Sequence, residues 1–271
     1  MAEMKKIRID EFYTMKQQRQ KIAMITCYDY TTAKILAKSQ IDAVLVGDSA
    51  GMVCAGYANT LPVTLEEMIY HTAGVVRGCS GKLVIADMPF LSYQQSDIHA
   101  VESAGRLIKF GGADAVKLEG GRDFESCIRA IVRASIPVCG HIGMTPQSIN
   151  IFGGFRLQGK EESAALRIIE DAKRVEEAGA FMMVLEKVPA QLGLRVSQAV
   201  RIPVIGIGAG AGCDGQVLVI DDILGMDEDF SPKYVKKYAN LSSEIGQAVN
   251  AYTDEVRGGV FPSDEQSYGD R

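Results

Sequence analysis

The feature that most constrains this chain is an eightfold recurrence. Short apolar, β-rich runs bounded by Gly, Asp or Pro occur at Ile22 to Cys27, Ala43 to Val46, Leu83 to Ala86, Ala115 to Leu118, Val138 to Gly140, Phe181 to Leu185, Val204 to Ile207 and Val217 to Ile220. Helical spacing of apolar residues lies between most of them, clearest in Leu65 to Gly78, Ile98 to Phe110, Phe124 to Ala134 and Ser163 to Ala178. Near-continuous apolar strands alternating with amphipathic helices imply a parallel sheet covered by helices. A doubly wound sheet gives the same alternation, but eight units with polar residues at many strand ends favour closure. The expectation is therefore an α/β fold, a (β/α)8 TIM barrel, in a single domain over 1–271. Glu11 to Gln20 predicts a helix capping the barrel bottom, and Lys233 to Val256 a long C-terminal helix. The pair Gly258-Gly259 then opens a polar tail, 258–271, read as an arm.

Composition excludes several classes. With 47% hydrophobic and 23% charged residues among 271, the chain can bury a large core. A net charge of -5 and no interleaving of aromatic residues with Lys/Arg runs argue against a nucleic-acid partner. Met1 to Ile9 shows no apolar leader core, and no stretch approaches the roughly 18 apolar residues of a membrane span, so a cytoplasmic protein is expected. The six cysteines are scattered, without a C-x-x-C pair, and read as reduced packing residues rather than zinc ligands or nucleophiles.

In α/β barrels the reacting groups stand at the carboxyl ends of strands. Here strand two runs into Asp48-Ser49, strand three into Asp87 and strand four into Lys117-Leu118-Glu119. Adjacent strands lie about 4.8 Å apart, so Asp48, Asp87 and Glu119 can converge, and a divalent cation would relieve their repulsion. Few protein carboxylates and all-oxygen ligation suit Mg2+. The plainer alternative is that Asp48 and Asp87 cap the following helices. Lys117 and Glu119 are two apart and share one strand face. Lys117 can pair with a substrate oxygen, pair with Glu119, or act as a Schiff-base nucleophile.

Glu186 follows the apolar run 181–185, a setting suited to a general base, though an exposed ion pair reads equally well. His141, at the end of strand five, is a candidate hydrogen-bond partner for a substrate oxygen or, equally, a structural histidine. The run Gly206-Ile207-Gly208-Ala209-Gly210-Ala211 fits a loose glycine pattern, but it lies late in the chain and outside a nucleotide-binding βαβ context, so no nucleotide is assigned to it.

With these residues laid out, the sequence resembles the ketopantoate hydroxymethyltransferase family nearly end to end. The segments that carry the resemblance are Val46-Gly47-Asp48-Ser49, Asp87-Met88-Pro89-Phe90, Val116-Lys117-Leu118-Glu119-Gly120-Gly121, Gly140-His141-Ile142-Gly143-Met144-Thr145-Pro146-Gln147, Val184-Leu185-Glu186 and Gly206-Ile207-Gly208-Ala209-Gly210. Departures are Met144 where Leu is expected and Gln266 where His is expected.

The resemblance implies a (β/α)8 barrel that uses Mg2+ and transfers a one-carbon unit from 5,10-methylenetetrahydrofolate to 3-methyl-2-oxobutanoate, giving 2-dehydropantoate. It further implies Asp48 and Asp87 as metal ligands and Glu119 at the metal directly or through water. Asp48, Ser49, Asp87 and Lys117 would line the oxo-acid site, Glu186 would be the catalytic base, and the subunits would form a homodecamer. Three rivals remain at this point: a phosphoenolpyruvate mutase-like or lyase barrel, a Schiff-base aldolase using Lys117, and a non-catalytic binding barrel.

Overall fold

The computed structural model describes residues 6–269. Its strands are β1 (Ile22–Thr26), β2 (Ala43–Val46), β3 (Leu83–Asp87), β4 (Ala115–Glu119), β5 (Val138–Gly143), β6 (Met182–Glu186), β7 (Val204–Ile207) and β8 (Gly215–Leu218). All pair in parallel in chain order, and β8 returns to β1 through Ile22↔Gly215 to Ile25↔Leu218, closing the barrel. The expected (β/α)8 fold is thus observed, with differences at boundaries. Strand β5 continues to Gly143, so His141 lies inside it, and β8 begins at Gly215 and stops before Ile220.

Strand parity decides what faces inward. One apolar cluster joins Ile22, Met24, Ala43, Leu45, Leu83, Ile85, Ala115, Cys139, Met182, Val184, Ile205 and Val217, which alternate along their strands and fill the barrel interior. The residues between them, such as Val44, Val46, Val84, Ala86, Val116 and Leu118, belong to a second cluster beneath the surrounding helices. Followed toward the carboxyl ends, the inward rows change character. Leu83 and Ile85 lead to Asp87, Ala115 to Lys117 and Glu119, Cys139 to His141, and Met182 and Val184 to Glu186. The period of two that builds the core therefore also places the charged residues around one mouth.

The opposite end is plugged as expected from sequence. Helix Ile9–Gln17 buries Phe12 and Met15 against the interior cluster. Full burial of a Phe side chain contributes roughly 1.5–3 kcal/mol. Lys16 Nζ anchors the plug by donating to the Ser197 and Ile202 carbonyls at 2.8 Å each and pairing with Asp214 at 2.8 Å.

The chain divides into two compact units, one up to Val219 and one from Ile220. The second contains helices Ile220–Leu224 and Leu241–Arg257 and a 3-10 turn at Asp264–Gln266. Its long helix starts at Leu241, not at the expected Lys233. The backbone donors of Tyr238 and Ser242 go to the Ile223 and Gly225 carbonyls instead of a helical ladder. In the tail, Gln266 Oε1 accepts from Ser263 N–H at 3.3 Å and from its hydroxyl at 2.7 Å. Residues 1–5 and 270–271 lie outside the described residues, so the reading of Met1 to Ile9 as lacking a leader, and the end of the tail, are covered only in part. Among the described residues no helix is long and apolar enough to cross a membrane.

Candidate active site

Strand β2 ends at Val46, and Asp48 and Ser49 follow on its loop; β3 ends at Asp87, and β4 carries Lys117 and Glu119. Asp48, Asp87, Lys117, Glu119 and His141 are all buried. Lys117 Nζ stands 2.8 Å from Asp87 Oδ1 and 3.9 Å from Glu119 Oε1. Asp87 Oδ2 accepts the Asp48 backbone N–H at 3.2 Å. The Asp87 carboxylate thus engages the neighbouring strand ends and the Asp48 carboxylate accepts from Gln147 Nε2 at 2.9 Å, and neither caps the first turn of the following helix. Ser49 Oγ lies 2.8 Å from the Tyr28 hydroxyl.

His141 joins this cluster to the expected base. Its Nδ1 is 3.3 Å from Glu119 Oε1 and 3.3 Å from Lys117 Nζ, and its Nε2 is 3.5 Å from Glu186 Oε2. The Glu186 side chain is 12% exposed, against 2–4% for the others, so it is the carboxylate of the group most open to the mouth. Gly143, beside it on β5, has φ +92°, and a Cβ there would run into the Glu186 carbonyl. Only glycine lets the two strand ends approach in this way.

Burial and mutual repulsion set the protonation states. Burial first, then Asp87 and Glu119, push the Asp48 carboxyl well above its ordinary value. Asp87 is also raised by burial, against the pull of Lys117. Burial alone would lower the Lys117 ammonium, but Asp87, Glu119 and Asp48 hold it above its ordinary value. Glu119 is kept low, against burial, by His141, Lys117 and the Gln147 N–H. His141 rises to about 9: burial and Lys117 oppose protonation, and Glu119 and Glu186 outweigh them.

The donor set fits a hard divalent cation. Asp48 and Asp87 are adjacent buried oxygen donors that repel one another, and Asp87 Oδ1 and Glu119 Oε1 are buried without an aligned hydrogen bond despite their close cations. Mg2+ commonly takes one or two carboxylates and completes its octahedron with water and substrate oxygens. Among the described residues no three His, Cys, Asp or Glu side chains form a ready-made cage. The fit is thus to a cation held chiefly by the two aspartates.

Two residues at the site received no role from sequence. Tyr93, fully buried, and Gln147, in the turn after β5, hydrogen-bond the carboxylate strands from outside the cluster. A position just past a strand's carboxyl end was the available signal for Gln147; for the loop residue Tyr93 there was none. All six cysteines are free, and burial pushes Cys27 and Cys139 up to about 12 and Cys127 and Cys213 up to about 11.

A closed parallel barrel with a charged, buried cluster at the carboxyl ends of β3 to β6 defines an α/β-barrel enzyme. A family model for ketopantoate hydroxymethyltransferase matches residues 6–264. The chain is 56% identical over 260 residues to the 3-methyl-2-oxobutanoate hydroxymethyltransferase of Clostridium novyi (strain NT), covering 96% of this chain and 94% of that protein. It is likewise 56% identical over 257 residues to the enzyme of the same name from Enterococcus faecalis (strain ATCC 700802 / V583), covering 95% and 94%. Phosphonopyruvate hydrolase in complex with oxalate and Mg2+ shares the fold, with a TM-score of 0.62 at 10% identity over 96% of this chain and 91% of that one. The chain belongs to the ketopantoate hydroxymethyltransferase family, a family of transferases.

Proposed function

We propose that this chain transfers a hydroxymethyl group from 5,10-methylenetetrahydrofolate to 3-methyl-2-oxobutanoate, giving 2-dehydropantoate, by way of an enolate. The observation that carries the mechanism is the chain of contacts Asp87, Lys117, Glu119, His141, Glu186, which sets one accessible carboxylate beside a buried cluster able to hold an oxo acid.

Bound Mg2+, held by Asp48 and Asp87 with Glu119 nearby directly or through water, would supply a cation toward which the ketone electrons are drawn. The ammonium of Lys117 offsets negative charge that develops on the substrate oxygens. Glu186 takes the proton from C3, and His141 beside it orients the carboxylate. Ser49, steadied by Tyr28, donates to the oxo-acid carboxylate. The C3 carbanion electrons form a bond to the donor methylene carbon and both bonds from that carbon to the two folate nitrogens break. Water supplies the hydroxyl group, and its second proton and the proton taken by Glu186 go to the two nitrogens as tetrahydrofolate leaves.

Labelling tests the donor. With methylenetetrahydrofolate carrying carbon-13 in its methylene group, the label should appear in the hydroxymethyl carbon of 2-dehydropantoate. Product formed without label would remove the folate donor from the proposal. The same reading carries a homodecamer working in the cytoplasm. Exposed Ile245, Val249, Tyr252 and Val256 on the helix Leu241–Arg257 fall at helical spacing on one face and support self-association. Analytical ultracentrifugation showing only monomer would count against it.

A further inference from the structure

The three buried carboxylates of the mouth, Asp48, Asp87 and Glu119, come from three different strand ends, and one neutral residue touches two of them. Gln147 lies in the 3-10 turn Pro146–Ser148 and is 6% exposed. Its Nε2 donates to Asp48 Oδ2 and to the Met88 carbonyl, both at 2.9 Å. Its Oε1 accepts from the Tyr93 hydroxyl at 2.7 Å and from Gln94 Nε2 at 3.1 Å. Its backbone N–H donates to Glu119 Oε2 at 2.9 Å. Because the Met88 carbonyl can only accept, the amide has one permitted orientation, with its nitrogen toward Asp48.

Tyr93 supports that arrangement from behind. Its hydroxyl accepts the Glu119 backbone N–H at 3.1 Å while lying against Gln147 Oε1. Its ring packs edge-on against Phe124 with centroids 5.3 Å apart. One residue after β5 thus links the loop after β2, the end of β3 and the end of β4, and a rigid aromatic residue fixes its orientation.

We propose that Gln147 is a positioning residue for Mg2+ binding: it aims Asp48 and Glu119, and Tyr93 locks its amide. Partners one step removed from a metal typically change its affinity by about 10–100-fold when deleted. This inference rests on the metal-dependent reading above. A role confined to holding the fold would lower the unfolding temperature of metal-free protein and leave the Mg2+ affinity of the folded protein unchanged.

The test is calorimetric titration of Mg2+ into the full-length chain, for wild type, Gln147→Met and Tyr93→Phe, with circular dichroism of each in EDTA. Gln147→Met keeps the backbone donor and side-chain length but deletes the amide. The expected result is Mg2+ affinity weaker by about 10–100-fold in Gln147→Met and a smaller loss in Tyr93→Phe, with unchanged dichroism. Equal affinity in all three overturns the positioning role and leaves the metal reading standing. No Mg2+ binding by wild type removes the metal reading, and this inference with it. Should Gln147→Met not fold, Tyr93→Phe decides alone, and unaltered affinity in it overturns the proposal.

Discussion

Lys117 and Asp87 are register partners across β3 and β4, and the lysine ammonium stands 2.8 Å from Asp87 Oδ1 with both side chains buried. This pair explains why the chain can bury three carboxylates at one mouth: the cation offsets part of a charge that burial would otherwise make prohibitive. It also discriminates between chemistries. A Schiff-base lysine needs a depressed pKa to be neutral and nucleophilic, and the surrounding carboxylates raise that of Lys117 instead. Borohydride treatment with the oxo acid should therefore leave no mass adduct on the protein.

Breaking the pair should be costly. Lys117→Met leaves Asp87 buried without its cation and should lose about 3–5 kcal/mol of stability, read as a lower urea midpoint at neutral pH in EDTA. A midpoint equal to wild type would mean that Asp87 is neutral or paired elsewhere.

Asp48 should act in the opposite direction. Its folded pKa is raised above the ordinary 3.8, so the native state favours the protonated form. That contribution to stability is full below 3.8 and is lost as pH rises from 3.8 through the folded pKa. Without divalent cation, ionising Asp48 in the folded state costs stability, because burial, Asp87 and Glu119 all oppose its charge. Asp48→Asn should then melt roughly 2–4 °C above wild type in EDTA, with the advantage shrinking toward pH 4. A gain that did not depend on pH would contradict this account.

Gly143→Ala should damage both fold and site. Alanine at φ +92° is strained, and its Cβ meets the Glu186 carbonyl. A loss of about 1–3 kcal/mol is expected, with turnover reduced in the protein that remains folded. Wild-type stability together with wild-type turnover would show that the β5 and β6 ends can separate without consequence.

Much of this architecture was legible because one period built both core and site. Alternation from Leu83 to Asp87 and from Ala115 to Glu119 marks inward rows, and in a barrel an inward row that ends in charge points at the mouth. The glycines of Gly140-His141-Ile142-Gly143 look like strand breakers and shorten β5 in the sequence, although here Gly143 permits close approach to β6 and Gly140 close approach of the Val175 side chain. The roles of Gln147 and Tyr93 were hidden for another reason. Neutral loop residues are placed by tertiary contacts, and nothing in their spacing indicates that they converge on Asp48 and Glu119. The start of the long helix at Leu241 depended in the same way on where Tyr238 and Ser242 find acceptors.

Glu186 is the base in this account, and it touches His141 rather than the aspartates. Glu186→Gln should lower turnover by about 10²–10⁴-fold while Mg2+ and oxo-acid affinities, measured by calorimetry, stay close to wild type. Lost binding with normal residual chemistry would assign Glu186 to substrate binding instead.

The most direct measurement of the central claim is proton exchange at C3 of 3-methyl-2-oxobutanoate in D2O, followed by NMR with Mg2+ and then with EDTA. The account predicts loss of the C3 proton signal with enzyme and Mg2+, none with EDTA, and none with Glu186→Gln. Exchange that persists in EDTA, or no exchange with or without added folate, would contradict proton removal by Glu186 at a metal-dependent site.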